Sequence, residues 1–565
     1  MAWAPAVTGA DTTQTLLTLA VLGLTSHTFF IRYSDVDRLV GKCFLPYIYI
    51  QTACWLWLCI QERSLFAPAL FITLANASFW TPLLASITIY RIYFHALRKY
   101  PGPSAARFTS WWGVWKLARG ANRYQLHDEL HRQYGDIVRV APNYISVNRV
   151  DALAVFYGAG TQCGKSHTFY NLKDVKSLQT ETDLKKHKTR RPPWEKALNA
   201  RQCLEYLPKL YRLSDLLVTR VTEDATKSTR GVMINHWLTC FSFDMMGELG
   251  YNKSYGCLET GVVHRGIIDM ETAIATAVII SPLPWLVRIL SSIVGVPGHL
   301  KGFMNLAIEA RAERKAAASV SKTDVLSQVF DGNVPLSAEE EIEDTMLLQI
   351  GGSDTTNSTL IFCVYYIATN PAIQRALREE IQQSSSASHG GHATREEVTW
   401  EEIKSLPLLE AAINETLRMH PPVPGGMPRM TPPQGAHLGD LYIPGNTTVS
   451  CPTWTIQMDP DNFTDPTTWN PHRWVTHPAH HNTKAWVPFS VGPFSCVGKN
   501  FAYMEMKVAI AKLVTTFEIA LAPQEDGRQL LEGSKDNTAI VCKPVWLSMK
   551  PRDKGCGALS EAVLN

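Results

Sequence analysis

The twelve cysteines of this 565-residue sequence contain no CxxC pair and form no even framework, so neither a zinc site nor a disulfide scaffold is indicated. Excess charge is missing too. The formal net charge is +3, and the first 100 residues carry seven Lys/Arg against four Asp/Glu, which leaves the rest of the chain balanced. A neutral body advertises no basic face, and a nucleic-acid partner is not expected. With 35 glycines and 33 prolines, close to the globular average, collagen-like and low-complexity architectures are excluded. The sequence shows no internal repeat and no flavin or nicotinamide fingerprint. What it has in quantity is apolar surface: 45% of the residues are hydrophobic and 19% charged, a balance that suits a large buried core and excludes a disordered chain.

Residues 1–100 differ from everything after them. Apolar stretches run over 13–31, 43–60 and 65–90. A helix crossing the hydrocarbon layer needs about 20 residues, with about 17 near the lower limit. The third stretch meets this easily, whereas His27 and Gln51 interrupt the first two. A cleaved signal peptide is disfavoured because no Lys or Arg precedes the first stretch and two more follow it. Arg32, Arg38 and Lys42 lie between the first two stretches, only Arg63 between the second and third, and Arg91, Arg98 and Lys99 after the third. By the positive-inside rule this places the N-terminus in the lumen and the main body in the cytoplasm. The expected organisation is a membrane anchor of about three transmembrane helices (13–31, 43–60, 65–90) over residues 1–100, and a catalytic domain over 101–565. Pro101-Gly102-Pro103 forms the junction, as a stiff linker or as a hinge setting how the body sits on the membrane.

The body reads as mainly helical with short strands, an α+β chain. Ser337 with Glu340 is a capping box opening a helix towards Ala368, and the two adjacent glycines 351 and 352 inside it, costing about 1 kcal/mol each relative to Ala, predict a local distortion. Asn370-Pro371 starts a second helix through Gln383, followed by a polar loop from Ser384 to Gly391. Thr399 with Glu402 is another capping box, leading a helix that stops at Pro421-Pro422. Strands are expected within 136–148 and 438–456.

The sharpest feature is Phe489-Ser-Val-Gly492-Pro-Phe494-Ser-Cys496-Val-Gly498-Lys499-Asn500-Phe501-Ala502. Glycines four before and two after a cysteine let a loop approach a flat ligand without side chains in the way. A helix begins just after the cysteine, and a thiolate at a helix N-terminus is stabilised as a metal ligand. This segment resembles the ligand loop of the cytochrome P-450 family of haem-thiolate proteins, F-x-x-G-x-R-x-C-x-G. The resemblance implies the cytochrome P-450 fold, haem b as cofactor, and Cys496 as the proximal ligand of the iron, with Phe489, Gly492 and Gly498 around it. One position departs: the family's Arg or His two residues before the cysteine, which pairs with a haem propionate, is Phe494 here, so that charge must come from elsewhere or be missing.

Other matches follow in the family's order. Glu415-Thr-Leu-Arg418 matches the E-x-x-R helix, and its apolar flanks argue for a buried pair needing a third partner. Arg473, in Trp469-Asn-Pro471-His472-Arg473-Trp474, supplies that partner in the family, where the network is structural. Gly351-Gly352-Ser353-Asp354-Thr355-Thr356 matches the oxygen-binding groove, and Asp354 and Thr355 match the acid–alcohol pair that delivers protons during oxygen activation. The plain alternative leaves Asp354 on the surface and the threonines bonded to the preceding turn. His187 and Arg191 resemble the family's Trp/His-x-x-x-Arg propionate partners, although the run from Lys185 to Arg191 reads equally as a solvated basic face. Arg429 matches the strand arginine that reaches a propionate. Tyr134 to Asn143 and Phe241 to Gly247 are similar to filamentous-fungal microsomal members. Five N-x-S/T sequons, at Asn252, Asn357, Asn414, Asn446 and Asn462, are read as chance.

The resemblance implies a monooxygenase of the endoplasmic reticulum membrane that oxidises a lipophilic small molecule in fungal secondary metabolism. Electrons come from a separate NADPH-cytochrome reductase, with cytochrome b5 as an optional second donor. The competing readings are a reductase-independent isomerase or dehydratase on the same fold, which retention of Asp354 and Thr355 disfavours, and a non-enzymatic haem-binding membrane protein.

Overall fold

A computed structural model describes residues 10–32, 36–295, 297–316, 324–332, 334–388, 398–476 and 481–552. It opens with three helices, α1 (Ala10–Thr25), α2 (Val36–Glu62) and α3 (Phe66–Ile89), the first and third continued by π-helical turns Ser26–Ile31 and Tyr90–Phe94. Three stretches are long and apolar enough to cross a membrane: Thr12–Ile31, Lys42–Glu62 and Phe66–Phe94. The polar interruptions are used between helices. The His27 ring bonds Ser86 Oγ at 2.7 Å, and Asn76 Nδ2 donates to Gln51 Oε1 at 3.2 Å. Gly23 lets α1 lie against α3, since a Cβ there would come within 2.2 Å of the Phe79 carbonyl oxygen. Close backbone approach and inter-helical hydrogen bonds are what hold helices together where lipid removes the hydrophobic drive.

The body is organised on one long helix, Ala338–Thr369. Its capping box is complete: Ser337 Oγ accepts from Glu340 N–H at 3.2 Å, and Glu340 Oε2 accepts from Ser337 N–H at 2.9 Å. The helix runs without interruption through the glycine pair, so the expected distortion is absent. The compensation is packing. A Cβ on Gly352 would sit 1.9 Å from Met246 Sδ, so the missing side chain lets the helix Ile234–Tyr251 lie close against the long helix. The closing helix Lys499–Thr516 completes this layer, with Leu360, Val364, Ala509 and Leu513 wholly buried in one core.

Two helix boundaries differ from the sequence reading. The helix begun at Pro371 continues to Ser388, taking in the first half of the expected loop, while residues 389–391 lie outside the described residues. The Thr399 capping box opens only Trp400–Ile403. A second helix, Pro407–Met419, starts afresh, because Pro407 has no N–H to continue the first ladder and fits the first turn of a new one.

Five short strands form the sheet beside the helices: β1 (Ile137–Ala141), β2 (Tyr144–Val147), β3 (Gly164–Lys165), β4 (Arg429–Met430) and β5 (Thr448–Ser450), in the order β1-β2-β5-β4-β3. β2 and β5 are parallel and the other pairs antiparallel. Within 438–456 the strand ends at Ser450, and Thr453–Gln457 turns helical behind Pro452. The antiparallel register places Lys165 directly opposite Arg429.

Candidate active site

The cysteine loop is closed by its own backbone. Cys496 N–H donates to Phe489 O at 2.8 Å, and Gly492, at φ +71°, turns the chain against the end of the helix Val150–Tyr157. A Cβ on Gly492 would stand 2.0 Å from the Tyr157 carbonyl oxygen, so only glycine fits this approach. Gly498 is less constrained, since a Cβ there would come no nearer than 3.9 Å, to Cys496 Sγ. The Cys496 thiol faces an internal cavity of about 320 Å³. Burial pushes its pKa up. The N–H groups of Gly498 and Lys499 at the start of the closing helix, and the charge of Arg191, pull it down. These are the groups that would stabilise a thiolate once a cation offsets the burial.

Across the cavity stands the long helix, which contributes Gly351, Gly352, Thr355, Thr356 and Thr359 to the wall. Thr355 Oγ1 donates to Gly351 O at 2.7 Å, which leaves its oxygen lone pairs available on the cavity side. Asp354 is not part of the wall. Burial, followed by the negative charge of Glu271, raises its carboxyl to about 7. Such a carboxyl is partly protonated at neutral pH and can serve as an acid.

The polar edge of the cavity is cationic. His187, Arg191 and Arg429 all line it. The basic run is split by helical periodicity on Leu184–Ala197: Lys185, Lys186 and Lys188 are exposed, while His187 and Arg190 are buried. Arg190 points away from the cavity, into an ion pair with Asp344 at 2.9 Å. Arg191 is tied to the cysteine loop, donating to Ser495 O at 2.9 Å, and pairs with Glu195 at 2.6 Å. Burial, then the charges of Lys165, Arg191 and Arg429, lowers His187 to about 3, so the ring is neutral and meets Phe494 edge-on at 4.7 Å. Arg429 is buried, with its Cζ 5.0 Å from the Phe494 ring centre and its Nε without a hydrogen-bond partner. Sequence reasoning missed Lys165, which is buried in the same wall with Nζ 4.9 Å from the Phe494 ring centre.

Beneath the loop, Glu415 receives Arg418 in a two-point pair (2.9 Å at both oxygens), Arg473 Nε at 2.9 Å, Trp474 Nε1 at 3.0 Å and the Asn470 N–H at 3.0 Å. Arg418 continues to Gln457 O, and Gln457 Oε1 accepts the N–H of Val487 at the start of the cysteine loop. Asn414 adds two more ties: its carbonyl accepts Trp486 Nε1 at 3.1 Å, and its side chain accepts the Tyr503 hydroxyl at 2.6 Å. Gln457 lies in no motif and Asn414 only in a sequon read as chance, so the fold alone shows their part.

The family model described as cytochrome P450 matches residues 101–550. Cytochrome P450 monooxygenase phqL of Penicillium fellutanum is 28% identical over 560 residues, covering 97% of each chain. Cytochrome P450 monooxygenase notG' of Aspergillus versicolor is 33% identical, over 82% of this chain and 84% of its own. Tryprostatin B 6-hydroxylase of Aspergillus fumigatus is 31% identical over 83% of both.

Proposed function

The chain belongs to the cytochrome P450 family and is a monooxygenase, and from that premise we propose that it hydroxylates or otherwise oxidises a lipophilic small molecule with O2 and NADPH-derived electrons in fungal secondary metabolism. The family binds haem through a cysteine thiolate, and here Cys496 is the thiolate on offer. The residues present fit such a group: a thiol at one wall, apolar surface around it, and at one edge buried cations that include an unpartnered Arg429 Nε. When bound, the haem supplies reductive activation of dioxygen and transfer of one oxygen atom to the substrate.

The chain's own residues do the rest. Phe489, Gly492 and Gly498 shape the loop that presents the sulfur, and the Glu415–Arg418–Arg473 network holds that loop in place. Arg429 and the neutral ring of His187 offer N–H donors to the haem carboxylates, and Arg191 orients the loop through Ser495. Asp354 takes up a proton at its carboxyl and returns it towards the cavity, where the Thr355 hydroxyl relays it through water. The observation that carries this reading is that Cys496 and Thr355 line one cavity from opposite elements.

The three apolar helices support anchoring in the endoplasmic reticulum membrane, with residues 101–565 as a cytoplasmic catalytic domain served by an NADPH-cytochrome reductase. The apolar helix Pro284–Val294 packs against α2 and leaves Leu290, Ile293 and Val294 exposed, which favours substrate entry from the bilayer side. A relative named for hydroxylating tryprostatin B supports a secondary metabolite as substrate. Metabolite extracts from the producing organism with and without this gene test the proposal. A compound one oxygen poorer than the lost product accumulates in the deletion, and the product takes up a single labelled atom from 18O2. Accumulation of an isomer of the lost product would contradict it.

A further inference from the structure

Lys165 and Arg429 form a directly opposed cross-strand pair between β3 and β4. Like charges placed opposite one another on neighbouring strands destabilise a sheet. Both side chains are buried, at 5% and 1% exposure, which removes the water that would screen them. Among the described residues, neither forms an ion pair with a carboxylate. Glu181, the acid whose charge reaches Lys165, is engaged by the Asp183 N–H at 2.9 Å and lies 3.9 Å from Arg190. The Lys165 ammonium has one protein acceptor, the Leu178 carbonyl at 2.9 Å, out of three possible bonds. Arg429 keeps an unpartnered Nε. Both border the cavity that Cys496 faces, and between them and His187 lies the ring of Phe494.

A site with two buried basic side chains, unused donors and an open cavity beside it is built for an anion that the folded chain does not itself supply. Phe494, two residues before the cysteine, lies against Lys165, Arg429 and His187 and brings no charge to this edge. Lys165 reaches the same edge from β3.

We propose that Lys165 is a haem-carboxylate ligand of this protein, supplying with Arg429 the positive charge that Phe494 cannot. The assignment rests on the haem-thiolate reading above. Phe494 acts as an apolar floor whose face both cations approach, which keeps them oriented into the cavity. Burial, then Arg429's charge, lowers the Lys165 pKa to about 6 in the chain alone, so the site gains most from an occupant carrying negative charge.

The test uses the full-length protein and four variants: Lys165→Met, Lys165→Arg, Phe494→Arg and the double variant K165M/F494R. Three quantities are read: the reduced carbon-monoxide spectrum, the rate of haem transfer to an apo-globin acceptor, and the haem reduction potential. Lys165→Met is expected to keep the thiolate-type spectrum, because Cys496 is untouched. It should also release haem at least tenfold faster and shift the potential downward, since a lost cation favours the oxidised, more positive iron. Lys165→Arg stays close to wild type. In the double variant the new arginine restores slow release, a rescue that a merely structural lysine would not give. Unchanged release and potential in Lys165→Met overturn the proposal, as does failure of the double variant to recover. A wild-type chain that binds no haem would instead overturn the reading beneath it.

Discussion

Two buried sets of guanidinium and ammonium groups flank the cysteine loop, and they are built on opposite terms. Below the loop, the two arginines 418 and 473 share the Glu415 carboxylate, and its remaining lone pairs are filled by Trp474 and Asn470. At the cavity edge, Lys165 and Arg429 face each other with no carboxylate between them and with a donor nitrogen left over. The first network is complete within the chain, so its energy belongs to the fold. The second is complete only with something bound, so its energy belongs to the ligand. The resemblance already gave Arg429 a role different from that of Arg418 and Arg473, but it pointed to no partner for Arg429 at Lys165.

The largest effect is expected at Glu415. Glu415→Ala strands two buried guanidinium groups, at a cost of about 3–5 kcal/mol. Thermal unfolding should drop sharply and no haem-loaded protein should be recovered. The contrast with Lys165→Met, which should fold and load, is the point.

Asp354 offers a third, smaller case, a single carboxyl whose charge burial and Glu271 disfavour. Its protonated form is the useful one, so product formation should hold below pH 7 and fall above it as the carboxyl titrates near 7. Asp354→Asn should lower the rate by roughly 10²-fold and flatten that limb, as measured by product per NADPH consumed across pH. A carboxyl whose pKa is raised on folding, from 3.8 to about 7, binds its proton more tightly in the folded state, so stability falls as pH rises through that window. Asp354→Asn removes this slope in pH-dependent unfolding.

Gly492→Ala sharpens the comparison from the backbone side. The overlap with Tyr157 O and the positive φ should cost about 1–3 kcal/mol in strain. Its mark should be a disturbed carbon-monoxide spectrum rather than faster haem release alone. The smallest effect belongs to Glu195→Gln. The carboxylate there is half-exposed, so loss of its pair with Arg191 should change stability by less than about 1 kcal/mol in thermal unfolding and leave haem release unchanged.

Much of this was legible in the sequence because the signals were local. The cysteine loop announces itself through glycine spacing, the long helix through Ser337 and Glu340, and the Glu415 network through an acid and a base three apart among apolar neighbours. The apolar stretches at the N-terminus fall within a few residues of the three helices long enough to cross a membrane. Lys165 was not legible. It sits in a two-residue strand with no periodicity around it, and it acquires meaning only when the chain returns at Arg429 to pair with it. Gly352 was legible as an anomaly but not in its purpose, because its partner Met246 lies on another helix. The split of Trp400–Met419 into two helices turned on Pro407, a local signal that the apolar periodicity on either side concealed.

Whether the cavity at Cys496 is a haem-thiolate site is tested most directly by the reduced carbon-monoxide spectrum of the full-length chain beside its Cys496→Ser variant. The wild type should give the absorption of a thiolate-ligated haem and the variant should lose it. The same spectrum from both proteins would contradict the assignment of Cys496.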